Sequence, residues 1–383
     1  ERGWQLLKDV GHLCYITSNN WMRACYGQNT RQFLASKTNP KLLIDFAGVK
    51  VFESATVDTN ILLFARAANE QATTCAVLGS QLSKSSLNDL SLFVEQNHTQ
   101  CAFADGESWV VLTPIEQSIK RKIEALGTPL KEWDIQIYRG VLTGCNEAFI
   151  ISTAKRDEIL SKCQSADERH RTEELIRPIL RGRDIKRYGY EWAELWLINT
   201  HNGVKGRLPR IEIEDYPAVK AHLDEYWENL AKRADQGDTP YNLRNCAYME
   251  DFQKPKIIYP NMTKFMPFTL DLNGYMTNQK CFIVTGMHIG FLTAFFNSSL
   301  FKFCFRETFP MLQAGTREMS KIFFDKIPVK RITEAENMKF SELVTDIQAN
   351  YTKEKATHLD SLLFDMYGLT QEERASIGFI ELQ

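Results

Sequence analysis

YRGVLTGCNEAFII (residues 138–151) and ELIRPILRGRDIKRYGY (residues 174–190) are the two stretches that decide how this sequence is interpreted. The first contains TGCN, a Gly- and Asn-bearing segment between apolar runs, which predicts a turn with accessible backbone amides. Within residues 177–187, the second concentrates five cations against one acid, namely Arg177, Arg181, Arg183, Lys186 and Arg187 against Asp184. Such a run attracts phosphates, and arginine also pairs with guanine edges. On charge alone, a solvated protein surface is the more common explanation.

The order of these two stretches resembles the start of the TaqI-like C-terminal specificity domain. There, TG-x-NEAF-I is followed by I-P-LRGRDI-RY, and both patterns stand in this sequence. That domain is the target-recognition module of adenine-specific DNA methyltransferases and of fused, type IIG restriction-modification enzymes. The resemblance continues through a KI strand, an N-S-S helix end and a closing I-P, and so covers most of residues 137–330. It implies double-stranded DNA as a partner.

Composition indicates a globular protein of a reducing compartment. Of 383 residues, 44% are hydrophobic and 25% are charged, and nine cysteines occur without a C-x-x-C pair. This argues against structural zinc and a secreted disulfide framework, and it favours a cytoplasmic protein without a membrane span. Residues 137–330 carry 28 Lys and Arg against 24 Asp and Glu, whereas residues 331–383 carry 5 against 10. A nucleic-acid face therefore fits the middle of the chain better than its end.

Residues 1–70 predict strands at HLCYIT (buried), KLLIDFAGVKVF (with a turn) and NILLFARA, with a helix at GQNTRQFLASK. This pattern is typical of the last part of an α/β sheet. ITSNNWM and the later IDF and VF segments resemble the end of the same methyltransferases' catalytic domain. The resemblance implies that Phe52 packs against an adenine flipped out of the duplex, with Asn19, Asn20 and Trp21 beside the same cleft. A core Phe at a strand end is the alternative for Phe52.

Two motifs of the catalytic domain are missing from the chain. It has no G-x-G strand-to-helix turn and no Asn-Pro-Pro-Tyr, and no two prolines are adjacent. We expect both motifs upstream of Glu1, in a methyltransferase or nuclease portion of the same protein. The resemblance implies S-adenosylmethionine as the cofactor of the full-length enzyme, and Mg²⁺ only if a nuclease domain lies upstream. The chain alone is expected to be inactive in methyl transfer and to hold no catalytic residue and no metal site.

The predicted fold class is α/β, in four parts. Residues 1–70 are the C-terminal part of a Rossmann-like methyltransferase sheet, and residues 71–136 are a connecting segment with strands at TCAVLGS and SWVVLT. Residues 137–330 are a mixed α+β target-recognition domain. Residues 331–383 are an acidic tail of two helices, with Gly368 ending one and Thr370-x-x-Glu373 opening the next, and the tail is expected to pack back on this domain.

Within residues 137–330, three patterns make specific structural predictions. PAVKAHLDEYWENLAKRAD predicts one helix whose core-facing stripe includes Trp227. FMPFTLDLNGYMTNQKCFIV predicts a hairpin around Asn273-Gly274. GFLTAFFNSSLFKFCFRE predicts an apolar helix that breaks at Asn297-Ser298.

The DNA contacts are expected on the loops at 143–146, 181–187, 261–264 and 306–317, because loops between rigid elements carry recognition. For phosphate contacts the candidates are Arg181, Arg183, Lys186 and Arg187. For base reading they are Lys264, Gln313 and Arg317.

Two other functions compete with a methyltransferase specificity module. One is a non-catalytic DNA-binding specificity subunit that acts in trans, although such a subunit has no use for the catalytic-sheet segment. The other is a metal-dependent nuclease within this chain, for which Asp167 with Asp184-x-Lys186 is the nearest match to a carboxylate cluster with a lysine.

Overall fold

The computed structural model describes residues 1–46, 49, 51–52, 58–78, 89–309, 312 and 315–381. The chain divides into two compact units, Glu1–Arg121 and Lys122–Gln383. The helices and strands that begin in the first unit are α1 (Arg2–Gln5), β1 (His12–Ser18), α2 (Gln28–Lys37), β2 (Asn39–Asp45), β3 (Thr59–Ala65), β4 (Thr73–Val77), α3 (Leu90–Asn97), β5 (Thr99–Cys101) and α4 (Pro114–Leu126). None of the described helices is long and apolar enough to cross a bilayer.

The first unit is built on a five-stranded sheet with the order β1-β3-β2-β4-β5. β3 runs antiparallel to both β1 and β2, and β4 runs parallel to β2. β1, β2 and β4 therefore point the same way, and their carboxyl ends meet at one edge, where α/β proteins place their ligands. β4 and β5 complete this sheet, so part of the segment expected to be a connection belongs to the first unit's core.

Two predictions in the first unit are wrong. β1 is an edge strand, and its Tyr15 and Ile16 side chains are 46% and 47% exposed, whereas HLCYIT was expected to be buried. SWVVLT forms no strand; Trp109 in it is 1% exposed and stacks on Phe103 at a centroid distance of 4.4 Å. An apolar run is buried equally well by a loop that packs on a sheet, so its composition could not distinguish the two.

The second unit holds the remaining elements. They are β6 (Gly127–Pro129), β7 (Ile135–Arg139), α5 (Asn146–Phe149), β8 (Ile150–Ser152), α6 (Thr153–Ser161), α7 (Ala166–Leu175), β9 (Ile176–Leu180), β10 (Ile185–Lys186), β11 (Gly189–Tyr190), β12 (Leu195–Ile198), α8 (Pro217–Asp224), α9 (Trp227–Lys232), β13 (Lys256–Pro260), β14 (Met262–Thr263), β15 (Thr269–Asp271), β16 (Met276–Thr277), β17 (Cys281–Gly286), α10 (Ile289–Asn297), α11 (Ser299–Phe305), β18 (Arg317–Glu318), α12 (Lys321–Phe324), β19 (Pro328–Lys330), α13 (Glu334–Ala349), α14 (Lys353–Met366) and α15 (Gln371–Ile377).

Two four-stranded sheets organise this unit, with the orders β16-β9-β12-β8 and β15-β13-β17-β7. Both contribute to one hydrophobic core, which includes Ile179 and Leu197 from the first sheet and Ile258 and Ile283 from the second. Each of these four side chains is fully buried. The mixture of helices with parallel and antiparallel strands confirms the predicted α/β class.

The predicted hairpin around Asn273-Gly274 is wrong. Gly274 does turn the chain, with φ of +72°, but β15 pairs with β13 in one sheet and β16 pairs with β9 in the other. The turn therefore passes the chain between sheets. Asp271 holds it: its carboxylate accepts the backbone N–H groups of Asn273 and Tyr275, both at 2.9 Å.

The predicted helix over residues 217–235 is broken into α8 and α9 at Glu225-Tyr226. Leu223 and Leu230 remain fully buried, as the apolar stripe requires. Trp227, expected in the core, is 44% exposed and lies against Tyr241 at 5.3 Å between ring centroids. The break shifts the helical phase, and the Trp227 side chain therefore turns outward.

The helix break at Asn297-Ser298 and the packing of the tail are confirmed. α10 ends at Asn297, and the Ser298 side chain caps α11. The Asp360 carboxylate on α14 accepts the Ser299 N–H at 2.8 Å, which ties the tail to the module. Gly368 has φ of +60°, and the Thr370–Glu373 capping box is present. The tail has three helices where two were expected.

Lys256 and Asp271 form an ion pair of 2.5 Å in which both side chains are fully buried. We predict that Lys256→Met lowers the free energy of unfolding by about 3–5 kcal/mol, because it leaves a buried carboxylate without its charge partner. Urea titration followed by circular dichroism measures this, with Lys254→Met, at an exposed lysine, as the control. Equal stability of the two variants would show that Asp271 is sufficiently held by its backbone donors.

Candidate nucleic-acid interface

The RGRDI segment begins where β9 ends, and Asp184 shapes it. The Asp184 carboxylate accepts the Arg181 N–H at 2.8 Å and two bonds from the Arg181 guanidinium, at 3.0 and 2.8 Å. This closes a short helical turn over Gly182–Asp184. Asp184 is 4% exposed, so the single acidic side chain of the run is buried and engaged by Arg181. Arg183, in the middle of the turn, is exposed.

Three other segments meet this turn. A Cβ added to Gly182 would stand 3.2 Å from the Lys280 carbonyl oxygen and 3.3 Å from the Pro260 Cβ. The same Lys280 carbonyl accepts the Asn261 N–H at 2.8 Å. The end of β13 and the residues before β17 are thereby fixed beside Arg183.

β7 supplies the fourth segment. Arg139, its last residue, donates from Nε to the Gln279 carbonyl at 3.1 Å. A Cβ on the next residue, Gly140, would approach the Asn278 carbonyl oxygen to 2.1 Å, so a glycine is required for this contact. The ends of two sheets and the residues 278–281 are packed together here.

We call the surface formed by Arg139, Arg183, Lys264 and Lys280 the basic edge. All four side chains are exposed. Within the part of the chain that the structure describes, none of the four forms an ion pair. Because none of these four cations has an acidic partner there, they can bind a chain of phosphates without first breaking an ion pair.

The TGCN turn is confirmed, and Arg233 holds it. Gly144 has φ of +64°. The Arg233 guanidinium donates to the carbonyl oxygens of Thr143, Asp235, Pro240 and Asn242, and it lies 4.7 Å from the Phe149 ring centroid. Burial lowers the pKa of Arg233 to about 10. An arginine can bridge four carbonyls in this way because its donors form a planar fork.

The other candidate residues have less access to a ligand. Lys186 is about half exposed and pairs with Glu191 at 3.3 Å. Arg187 donates to the Ile380 carbonyl at 3.0 Å and lies over the Phe379 ring. Arg317 is 4% exposed and donates to the Phe309 carbonyl at 2.8 Å. For the last two, a DNA contact requires that the side chain leave its present bonds.

Gln313, the remaining candidate, lies outside the described residues.

In the first unit, the residues expected beside a flipped base follow the carboxyl ends of β1 and β2. Asn19 donates to the Asp45 carboxylate at 2.8 Å, and Asp45 is 1% exposed. Trp21 lies edge-on to Trp109, with ring centroids 5.5 Å apart. Phe52 is 43% exposed. The described strand-to-helix connections lack a Gly-rich turn of the kind that holds a nucleotide-like cofactor, so the residues present do not fit S-adenosylmethionine, and no step through it is assigned to them.

Sequence reasoning missed Arg139 and Lys280, because each is isolated among uncharged neighbours in the sequence. It also missed the loop at 203–210, where Gly203 and Gly206 adopt positive φ and Val204 pairs with Leu208. This loop lines an open groove of about 870 Å³ and exposes Lys205 at its tip. In the sequence, this loop could have been recognised by its two glycines, which alternate with Lys and Arg.

The nuclease alternative depends on Asp167 and Asp184, and both carboxylates are engaged elsewhere. Asp184 closes the RGRDI turn, and Asp167 pairs with Arg171 on its own helix. Within the described ranges, no three His, Cys, Asp or Glu side chains gather as ligands for a metal ion.

Comparison with known proteins finds a match in the unit that holds the basic edge. Residues 177–329 match the TaqI-like C-terminal specificity domain, and they contain three of its four cations. The match lies wholly within the second unit. Residues 1–52 match the Eco57I restriction-modification methylase family. Together the two matches confirm the resemblance to restriction-modification methyltransferases.

Two curated relatives and one solved structure are similar to this chain. The type II methyltransferase M.BstVI of Geobacillus stearothermophilus is 21% identical over 96% of this chain, which spans 66% of that protein. The type II restriction enzyme and methyltransferase RM.Eco57I of Escherichia coli is 24% identical over 59% of this chain and 24% of its own length. The type IIL restriction-modification enzyme MmeI in complex with DNA has a similar fold, with a TM-score of 0.54 at 10% identity, over 96% of this chain and 48% of that one.

Arg181 and Arg183 differ in role although they are two residues apart. We predict that Arg181→Ala lowers the free energy of unfolding by about 1.5–3 kcal/mol, because Asp184 loses charge-assisted hydrogen bonds in a buried position. Arg183→Ala should leave stability within about 0.5 kcal/mol, as expected for an exposed side chain. Urea titrations of both variants measure the difference, and equal losses would contradict this division.

Proposed function

We propose that this chain reads the DNA sequence and positions the target adenine for a site-specific adenine DNA methyltransferase of a restriction-modification enzyme. The observation that carries the proposal is the basic edge, which lies in the unit with the specificity-domain match and presents four cations without acidic partners. Phosphate contacts there would fix the register of the duplex, while loops beside it read base edges. Residues 137–330 are the proposed recognition part, with Arg183, Lys264 and the half-exposed Lys186 as its contacts.

The first unit is proposed to receive the flipped adenine, with Phe52 as the stacking partner that offsets the lost base stacking. Its support is the methylase match over residues 1–52 and the exposure of Phe52 beyond the carboxyl end of β2.

The exposed edge strand β1 offers unpaired backbone to a further strand. We propose that the partner is a methyltransferase portion of the same cytoplasmic protein, which would bring S-adenosylmethionine. Mg²⁺ would be needed only if that portion includes a nuclease.

Four phosphate contacts at the basic edge predict a strong salt dependence of DNA binding. The slope of log K against log salt should be about −3.6, so that affinity falls roughly 150-fold between 50 and 200 mM salt. Fluorescence anisotropy with a labelled random-sequence duplex measures this. Alanine at Arg139, Arg183, Lys264 or Lys280 should each reduce the slope by about 0.9, whereas Lys162→Ala and Lys339→Ala, exposed elsewhere, should not. A slope near zero in the unaltered chain would refute the interface.

Methyl transfer tests the enzymatic part of the proposal. With labelled S-adenosylmethionine and duplex DNA, this chain alone should transfer no methyl group, since it contains no Asn-Pro-Pro-Tyr. Expressed with the reading frame that precedes Glu1, it should methylate adenine, as shown by mass spectrometry of the digested nucleosides. Phe52→Ala should then lower kcat/KM about 10- to 100-fold, the loss expected when one base-stacking contact is removed, and Phe52→Trp should retain activity. DNA binding without methylation in the longer protein would instead favour a specificity subunit that acts in trans.

A further inference from the structure

Phe265 is an aromatic side chain exposed beside the basic edge. It follows Lys264 and lies just beyond β14, which pairs with β18 in a two-stranded ribbon. Phe265 is 44% exposed, and Met262 on the same ribbon is 45% exposed. Among the described residues, the Phe265 ring takes part in none of the aromatic pairs that fill the neighbouring core. Single exposed apolar residues are common on protein surfaces, so the case for Phe265 depends on its fixed backbone and its charged neighbours.

The backbone on both sides of Phe265 is fixed. Its N–H donates to the Thr263 Oγ1 at 3.0 Å. Met266, the next residue, has φ of +49° and is fully buried. A non-glycine residue in this left-handed region is strained and persists only where its surroundings enforce it. The anchor continues at Phe268, which is also fully buried and donates its N–H to the Asn297 side chain at 3.1 Å. Phe265 is thus held in the exposed position by its neighbours.

The surroundings of Phe265 match the chemistry of DNA. Asn261, at the base of the ribbon, bonds to the Lys280 carbonyl, so the ribbon is continuous with the basic edge. Lys264 precedes the ring and is exposed. Proteins that kink duplex DNA combine two features: cations that hold the phosphates, and a nearby apolar side chain that enters a base step. A purely apolar protein partner would leave these cations without counter-charges.

We propose that Phe265 enters the base stack of bound DNA as an apolar wedge, while Lys264 contacts the adjacent phosphate. This rests on the proposed DNA-recognition function and adds a mechanism to it. Partial unstacking at one step would bend the duplex toward the specificity domain, and the energy of deforming that step would depend on its sequence. Phe265 would then contribute to sequence discrimination without a hydrogen bond to any base.

The test uses the full chain and a relaxed closed-circular plasmid. A wedge between base pairs unwinds the helix, so topoisomerase I treatment of the complex, followed by removal of protein, should leave a shifted linking-number distribution. At equal occupancy of the plasmid, Phe265→Ala should abolish the shift and Phe265→Trp should preserve it. Phe265→Ala should also weaken duplex binding about 5- to 150-fold, as loss of one stacking contact does, with an unchanged salt slope.

Two controls separate the wedge from other effects. Lys264→Ala should reduce the salt slope by about 0.9 and keep the topological shift. Met287→Ala, at a side chain 49% exposed elsewhere in the second unit, should change neither. If the unaltered chain binds the plasmid without a shift, or if Phe265→Ala retains the shift, the wedge is refuted while DNA recognition stands. If the unaltered chain does not bind duplex DNA, the proposed function itself fails.

Discussion

The second unit depends on one buried carboxylate, that of Asp271. It neutralises Lys256 across the β13–β15 pairing and accepts two backbone N–H groups of the turn that follows. A charge with no solvent access is stable only when it is paired and hydrogen-bonded, and here the partners come from one strand and from the turn. That combination forces the chain out of the second sheet and into the first. Without it, β15 and β16 would be free to form the local hairpin that their sequence favours.

This exchange between sheets determines where the basic edge can form. After β16 pairs with β9, residues 278–281 return to the second sheet and pass directly over Gly140 and Gly182. Arg139 and Lys280 are brought to Arg183 by these backbone contacts, although they are distant in sequence. Arg139 ends a strand, and Arg183, Lys264 and Lys280 lie in short turns that adjoin strands. Backbone contacts fix these turns, so little conformational entropy is lost when phosphates bind.

The sequence was informative where a pattern is local and misleading where the partner is remote. The Asn297-Ser298 break and the Thr370–Glu373 capping box were predictable, because each closes its own hydrogen bonds within a few residues. The Asn273-Gly274 hairpin failed because Asp271 and β9 compete with local pairing. The exposure of Trp227 depends on a helix break without a Pro or Gly signal. Arg139 and Lys280 gave no charge cluster, since only the register of two sheets brings them together.

In the RGRD turn, the residues that support the fold differ from the residue proposed to contact DNA, and this matters for engineering new specificities. Arg181 and Asp184 form a scaffold in which both charges are mutually satisfied, whereas Arg183 and the ribbon tip at 263–265 extend from it. Chimeras that graft the tip residues of one relative onto another should retain a folded framework. A single crossover between Arg181 and Asp184, or between Gly140 and Asn278, would instead take the two halves of one internal bond network from different parents. The exposed residues alone, and not the whole segment that carries them, are therefore the part to exchange between relatives.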